Sequence, residues 1–392
     1  MTIEIQKTKA EEAIPHHFAD VAERLPGVAV IQDSRRAAIG AFKQDGLPHR
    51  RIEAWKYTDL RNQMKTAFHP AGDSTSSASW QALTIALGPF ADLDAARIVL
   101  VDGVYAADLS ALDTLGDGAR VLPLSEALAD ECFAEMHDGR LEIEQDYSVI
   151  ALNTAFMTDG AAIHLTATPK RPIHIINVAR GIDERMIATR NVICVSDGVE
   201  VAIVESFVAL EDAATQTNAL THIGIGAGAR VEHIKVQREG AASTHLSTWI
   251  VEVGAEADYR GFQYSAGAAL ARNQISVRYI GENAKADISG AYLLAGRQHC
   301  DTTLVVEHPE LNCISRELFK AVLDDEARGV FQGKVIVRAE AQKTDGKQMA
   351  QALMPLLQNS SSLGSPSRLA LAPVARIRAW AWMVWPSAVI NK

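Results

Sequence analysis

Four runs decide the fold: Asn191–Phe207 (NVICVSDGVEVAIVESF), His222–Val236 (HIGIGAGARVEHIKV), Trp249–Ala266 (WIVEVGAEADYRGFQYSA) and Ile275–Leu293 (ISVRYIGENAKADISGAYL). Each has one layout: an apolar strand, a turn with Gly, and a second strand. The residues that open the second strands are Val199, Ala229, Ala257 and Ala286, at steps of 30, 28 and 29 residues. A near-constant period of this size marks a repeat architecture. The units alternate with a period of two and lack helical periodicity, so the repeat is β. No helix-length segment separates the strands, which argues against a doubly wound sheet. A single coil cannot bury its own apolar face and must stack on its neighbours. The pattern therefore predicts a mainly β protein, a stacked parallel β-solenoid over about Gly160–Val337, with the four markers in one column. An irregular β-sandwich is the competing arrangement. Gly226, Gly228, Gly254 and Gly281 are expected to supply turns with positive φ.

Outward from this core the chain divides into four parts. Residues 1–95 read as a mostly helical N-terminal region and 96–159 as a mixed α/β connection; 160–354 hold the solenoid and 355–392 an atypical tail. In the first part, Phe18, Val21, Ala22 and Leu25 fall at helical spacing, and a second helix is expected from an N-cap at Ser34 to a stop at Gly46. Residues 71–79 (AGDSTSSAS) have loop composition. Ala96–Tyr105 (ARIVLVDGVY) reads as a buried strand closed by an Asp-Gly turn.

Composition narrows the function classes. The 392 residues are 48% hydrophobic and carry a formal net charge of −10, which argues against a general nucleic-acid footprint. Cys132, Cys194, Cys300 and Cys313 lie far apart, so neither a zinc ribbon nor a CxxC redox motif is present. The N-terminus lacks an apolar leader, and the longest apolar run, near Ala379–Ile390, is too short to span a bilayer. A cytoplasmic chain with reduced thiols is expected.

Motifs for catalysis are missing. Gly329–Lys334 (GVFQGK) is not a phosphate loop, because three residues separate the glycines and Val335 follows the lysine. GxSxG and HExxH do not occur. His299, Cys300, His308 and Cys313 form the one His/Cys group in the sequence, of types that suit a soft metal or an iron–sulfur cluster. Buried cysteines without chemistry are the commoner explanation of such a group. Trp55 and Tyr57 are expected to anchor the N-terminal region to the rest of the chain. Gln342, Thr344 and Gln348 read as a polar turn closing the last coil.

Two stretches carry a resemblance. They are Arg50–Leu60 (RRIEAWKYTDL) and Ser315–Met354, with Ser315, Arg316, Phe319, Ala327-Arg328-Gly329, Phe331, Gly333, Ala341 to Asp345 and Gln348 in order. Here the chain resembles the SufB/SufD family of iron–sulfur cluster assembly proteins, its SufD-like members in particular. The resemblance implies an N-terminal helical region, a right-handed parallel β-helix and C-terminal helices. It implies a non-enzymatic scaffold subunit that pairs with SufB, docks the ATPase SufC and supports iron acquisition and cluster assembly. It also implies that iron or a cluster is held only in the assembled complex. Phe331, Gly333, Gln342, Thr344 and Gln348 are the residues expected at the partner interface. The alternatives are a β-helix enzyme acting on carbohydrate, which would need a carboxylate cluster on one face, and a purely structural solenoid.

The tail departs from that resemblance. From Pro355 to Lys392 it holds Arg368, Arg376, Arg378 and Lys392 but no Asp or Glu, and three of the six tryptophans. The resemblance implies an acidic segment, a Cys-x-His-Gly motif and ATPase-binding helices here. A shifted reading frame or a cloning scar is the expected cause of the switch, with a natural divergent tail as the alternative. The expectations are a disordered tail, a sticky Trp-rich end, aggregation or trimming back toward Met354, and failure to bind SufC.

Overall fold

The computed structural model describes residues 7–71, 78–130 and 147–354, and the backbone of 380–384. Its strands fall on two sheets. The first sheet holds β1 (Ala96–Val101), β2 (Val104–Tyr105), β5 (Ile173–Ala179), β7 (Glu200–Ala209), β9 (Arg230–Arg238), β11 (Asp258–Ser265), β13 (Lys285–Leu294), β15 (Ile314–Leu323) and β17 (Asp345–Leu353). The second holds β3 (Ala119–Pro123), β4 (Ala161–Leu165), β6 (Arg185–Val195), β8 (Thr215–Ile225), β10 (Thr244–Val253), β12 (Leu270–Tyr279), β14 (His299–His308), β16 (Arg328–Val337) and β18 (Trp380–Val384). Among the described residues each sheet has nine strands, ordered β17-β15-β13-β11-β9-β7-β5-β1-β2 and β18-β16-β14-β12-β10-β8-β6-β4-β3. Neighbours pair in parallel apart from β1–β2 and β3–β4. The chain thus winds as a β-solenoid, and its sheets reach back to Ala96, before the Gly160 boundary read from the sequence.

The interior is a continuous apolar column between the sheets, with Ile175, Ile203, Val231, Tyr259, Ile288 and Phe319 from the first sheet and Ile193, Ile223, Val251, Val277 and Val306 from the second. Val199, Ala229 and Ala257 stand in one column, since each precedes a strand whose first residue is in register with the next. Ala286 does not belong to it. Asp258 pairs with Lys285, so the fourth member is Ala284 and the last step is 27 residues. One turn is shorter than its predecessor, and spacing alone could not place the deletion. The column continues to Cys313, and all five members are buried.

The turn glycines divide by role. Gly228 takes φ 67°, as expected. Gly226, Gly254 and Gly281 do not take positive φ. A Cβ on Gly254 would lie 2.6 Å from the Ile225 carbonyl oxygen, and one on Gly281 2.3 Å from the Ala255 nitrogen. These glycines let successive turns stack closely. The left-handed position of the later turns is taken by Glu256, Asn283 and Asn312, at φ 58° to 60°.

Among the described residues six α-helices flank the solenoid: α1 (Lys9–Val21), α2 (Ala29–Asp45), α3 (Leu60–Gln63), α4 (Trp80–Leu87), α5 (Leu124–Ala127) and α6 (Tyr147–Phe156). In α1 Thr8 and Glu11 form a capping box. Helix α2 begins five residues before the expected cap, and Ser34 lies inside it, donating to the Val30 carbonyl. Pro26 and Gly27 precede the helix and turn the chain into it earlier than the Ser34 signal suggested. Gly46 ends it, at φ 70°. Helices α1, α2 and α6 pack on the outer face of the second sheet through Ile14, Phe18, Phe42, Leu152 and Phe156 against Met186, Ala188, Leu246 and Leu270. Helix α4 covers the start of the first sheet's outer face, with Leu83 and Leu87 on Val99, Val101, Ile176, Val178 and Val208.

Residues 355–379 and 385–392 lie outside the described residues, so the Ser-rich part of the tail does too. Trp380–Val384 does not fit the expected disordered tail. It forms β18 and pairs in parallel with Gln332–Ile336 of β16. A β16 edge offers unpaired backbone groups to a β-prone segment.

Candidate functional site

The five residues expected at the partner interface divide into two sets. Phe331 is in the core, not on the surface: it is buried and stacks on Phe319 at 4.2 Å between centroids. Strand alternation turns its ring inward, and Gly290 makes room, since a Cβ there would touch the Phe319 ring at 2.4 Å. Gly333 is equally internal, lying beneath the Gln348 amide. Gln342 and Thr344 are at the surface of the last turn, donating to the carbonyls of Ala339 and Ala341 at 3.0 and 3.1 Å. Gln348 lies on β17, beside Glu317 in register. Among the described residues β17 is the end of the first sheet, with β15 its one strand neighbour.

The His/Cys group is not gathered. His299 and His308 stand at opposite ends of β14, a strand of 10 residues. Among the described residues no three His, Cys, Asp or Glu side chains are placed to hold a metal ion. Cys300 points into the interior, where burial pushes its thiol up to about 12. Cys313 lies under the turn column, donating to the Gly281 carbonyl at 3.5 Å, and burial also raises its thiol. His308 is buried against Tyr279 with Nε2 3.2 Å from Ser315 Oγ, and burial lowers its imidazole to about 4. Beside it, Glu317 has both carboxyl oxygens buried without a hydrogen-bond partner. Desolvation raises this group to about 7.

His299 serves a different contact. Its Nε2 is 2.8 Å from Thr58 Oγ1, and the Thr58 hydroxyl also donates to Asp301. Asp301 is ion-paired with Arg272 at 2.6 Å, both fully buried. The Arg272 guanidinium lies over the Trp55 ring at 4.5 Å and donates to the Ala54 carbonyl, as does Gln332. The segment around Trp55 is therefore strapped across β12, β14 and β16. The anchoring role expected of Trp55 is what the structure shows, with the indole buried.

The interior also holds a polar group that the sequence reading missed. Lys235 Nζ donates to Asn273 Oδ1 at 2.6 Å and to His245 Nε2 at 3.2 Å. His245 Nδ1 is 2.6 Å from Glu239, which accepts from Thr217 at 2.6 Å and Gln237 at 3.1 Å. Glu205 accepts from His233 at 2.9 Å, and His233 stacks on Trp249 at 3.9 Å. Asn273 donates onward to Thr302 at 3.2 Å, and its amide lies 3.7 Å from the Cys300 sulfur. Burial alone would raise both carboxyls, but His233 at Glu205 and His245 at Glu239, with their hydrogen bonds, hold both below the ordinary range. Desolvation lowers Lys235 to about 8 against the pull of those carboxylates. The network is structural cement of high stakes, since each member is paired and buried. A signal for it existed: His233, Lys235 and Gln237 alternate in phase with inward Val231.

These features define a two-sheet β-solenoid with a polar interior segment, a strapped N-terminal region and a first sheet that ends at β17 among the described residues. Two family models match it: the SufBD protein N-terminal region over residues 15–175, and the SufBD core domain of SUF system FeS cluster assembly over 176–366, which runs past Met354. A SufBD-family iron–sulfur cluster assembly protein of Synechocystis is 27% identical over 90% of this chain and 77% of its own length. The iron–sulfur cluster assembly protein SufD of Escherichia coli is 29% identical over 77% of this chain and 69% of its own. The chain belongs to the SufB/SufD family of the SUF system for iron–sulfur cluster assembly. No helix among the described residues is long and apolar enough to cross a membrane.

Proposed function

We propose that the chain is a SufD-like scaffold subunit: it pairs with a SufB-like chain, takes part in docking a SufC-like ATPase, and carries out no catalysis itself. Iron or a nascent cluster is then cargo of the assembled complex and not a resident group of this chain. The observation that carries the pairing is β17. Its nine residues close the first sheet with an outer edge that no described strand covers. Such an edge is a template for a strand of another chain. The polar end formed by Gln342, Thr344 and Gln348 flanks it, while Phe331 and Gly333 support it from beneath.

Co-purification with a SufB-like and SufC-like pair tests this reading in two arms. Stable association with the SufB-like chain is expected. On this reading the SufC-docking element is expected past Met354, in the atypical tail, so weak SufC binding beside intact SufB binding is expected. Absence of any SufB association overturns the scaffold reading. Full-strength SufC binding shows that the docking element lies before Met354.

A further inference from the structure

The outer face of the first sheet is covered at one end and bare at the other. Two rows of side chains run along it in register. One is Val99, Ile176, Ser206, Val236, Tyr264, Ala291, Lys320 and Gln351. The other is Val204, Ile234, Phe262, Ser289, Leu318 and Met349. Over β1, β5 and β7 this face is buried beneath α4. The cover stops at β9, where Arg238 donates to the carbonyls of Ala86 and Leu87 at 2.7 Å and caps the helix C-terminus. From β11 to β17 no described element lies on the face. Phe262, Leu293, Leu318, Met349 and Leu353 all lie there, five of the ten exposed large hydrophobic side chains among the described residues. An apolar patch of this concentration marks an interaction surface.

We infer that the bare half of this face, centred on Leu318 and Met349, docks an acidic amphipathic helix from a partner protein. The covered half shows what fits these rows: a helix laying Leu side chains at i and i+4 onto the sheet, as α4 does with Leu83 and Leu87. Charge selects the kind of helix. Lys320 and Lys347 flank the apolar row, are exposed and carry no ion pair among the described residues. Arg316 and Asp345 neutralise each other at 2.5 Å, and among the described residues Asp287 is the one carboxylate beside the row without an ion pair. The balance favours carboxylates on the incoming helix. This surface is a face, distinct from the β17 edge invoked above, so either proposal stands if the other fails.

The test uses the full-length chain and two designed helical peptides of about 18 residues, long enough to hold a helix. Both carry Leu at i, i+3, i+4 and i+7; one has Glu on its flanks and the other Lys. Fluorescence anisotropy is expected to give saturable binding of the acidic peptide and at least tenfold weaker binding of the basic one. The Lys320→Glu/Lys347→Glu variant should reverse that order, an outcome that a misfolded variant cannot produce. Leu318→Asp should abolish binding of both. Saturable binding that ignores peptide charge, or no binding of the acidic peptide, overturns the inference. Oxidative footprinting of the free chain adds a control. Protection of Met349 would mean that residues of this chain or a second copy already cover the face, and would also overturn it; sedimentation tells those two apart.

Discussion

Replacing Phe331 by Asp separates a core role from an interface role at the end of the solenoid. The ring is buried, stacked on Phe319 at 4.2 Å, and Phe319 in turn lies 6.2 Å from Tyr292. Losing the ring alone corresponds to a buried Phe→Ala truncation, about 3–5 kcal/mol. An unpaired carboxylate in the same space adds several kcal/mol more, because it would lie against the Phe319 ring in the buried core. Together these approach the whole stability of an ordinary domain, about 5–15 kcal/mol. A solenoid distributes such damage locally, since each coil contacts only its neighbours. The expected result is loss of amide protection over β14 to β17, with β5 to β10 remaining protected. Hydrogen exchange with mass spectrometry reads this directly. Phe331→Leu should cost less than about 1.5 kcal/mol and keep the terminal coils intact. An Asp variant whose β14–β17 amides exchange as slowly as the parent's would refute the reasoning. Loss of SufB pairing with unchanged exchange would place the ring at the interface after all.

Other expectations follow from the buried charges. Glu317→Gln should stabilise the chain at pH 8. The native carboxyl is raised to about 7, so its cost grows as pH climbs from the unfolded value near 4.5 and levels off above 7. The gain is about 3 kcal/mol at pH 8 and near zero at pH 4 in urea titrations, and an equal gain at both pH values would rule out the titration argument. Asp301→Asn should destabilise by about 3–5 kcal/mol, because Arg272 would keep its charge in a fully buried site without a counter-ion; a change below about 1 kcal/mol would show that the ion pair is dispensable. Cys300, with its thiol pushed up to about 12 and no exposed surface, should resist iodoacetamide at pH 8 until denaturant is added. Native-state labelling of Cys300 at the rate of a free thiol would mean that the interior opens.

Much of the fold was legible because a stacked coil repeats one instruction. Period-two alternation and a turn every 28 to 30 residues are local properties, and they were enough for a β-solenoid. The Asp102-Gly103 turn between β1 and β2, and the helix stop at Gly46, were legible for the same reason. Register was not. The one-turn shortening that replaced Ala286 by Ala284 in the inner column is a choice between neighbouring alanines, and backbone pairing across coils makes it.

Direction also escaped the sequence. Phe331 and Gln342 sit in one stretch of turn and strand, yet pleating sends the first inward and leaves the second at the surface. His299, Cys300, His308 and Cys313 are close in sequence, but a strand of 10 residues holds its two histidines apart and turns each cysteine to a different surrounding. Conversely, Lys235, Glu239 and His245 of one coil meet Asn273 and Cys300 of the two coils that follow only because stacking brings inward positions together. Composition and spacing thus determined the class of fold, since those depend on what each segment must bury. Which side chains meet, and which end of the solenoid is left open, depended on register and pleat, and these exist only once the coils are stacked.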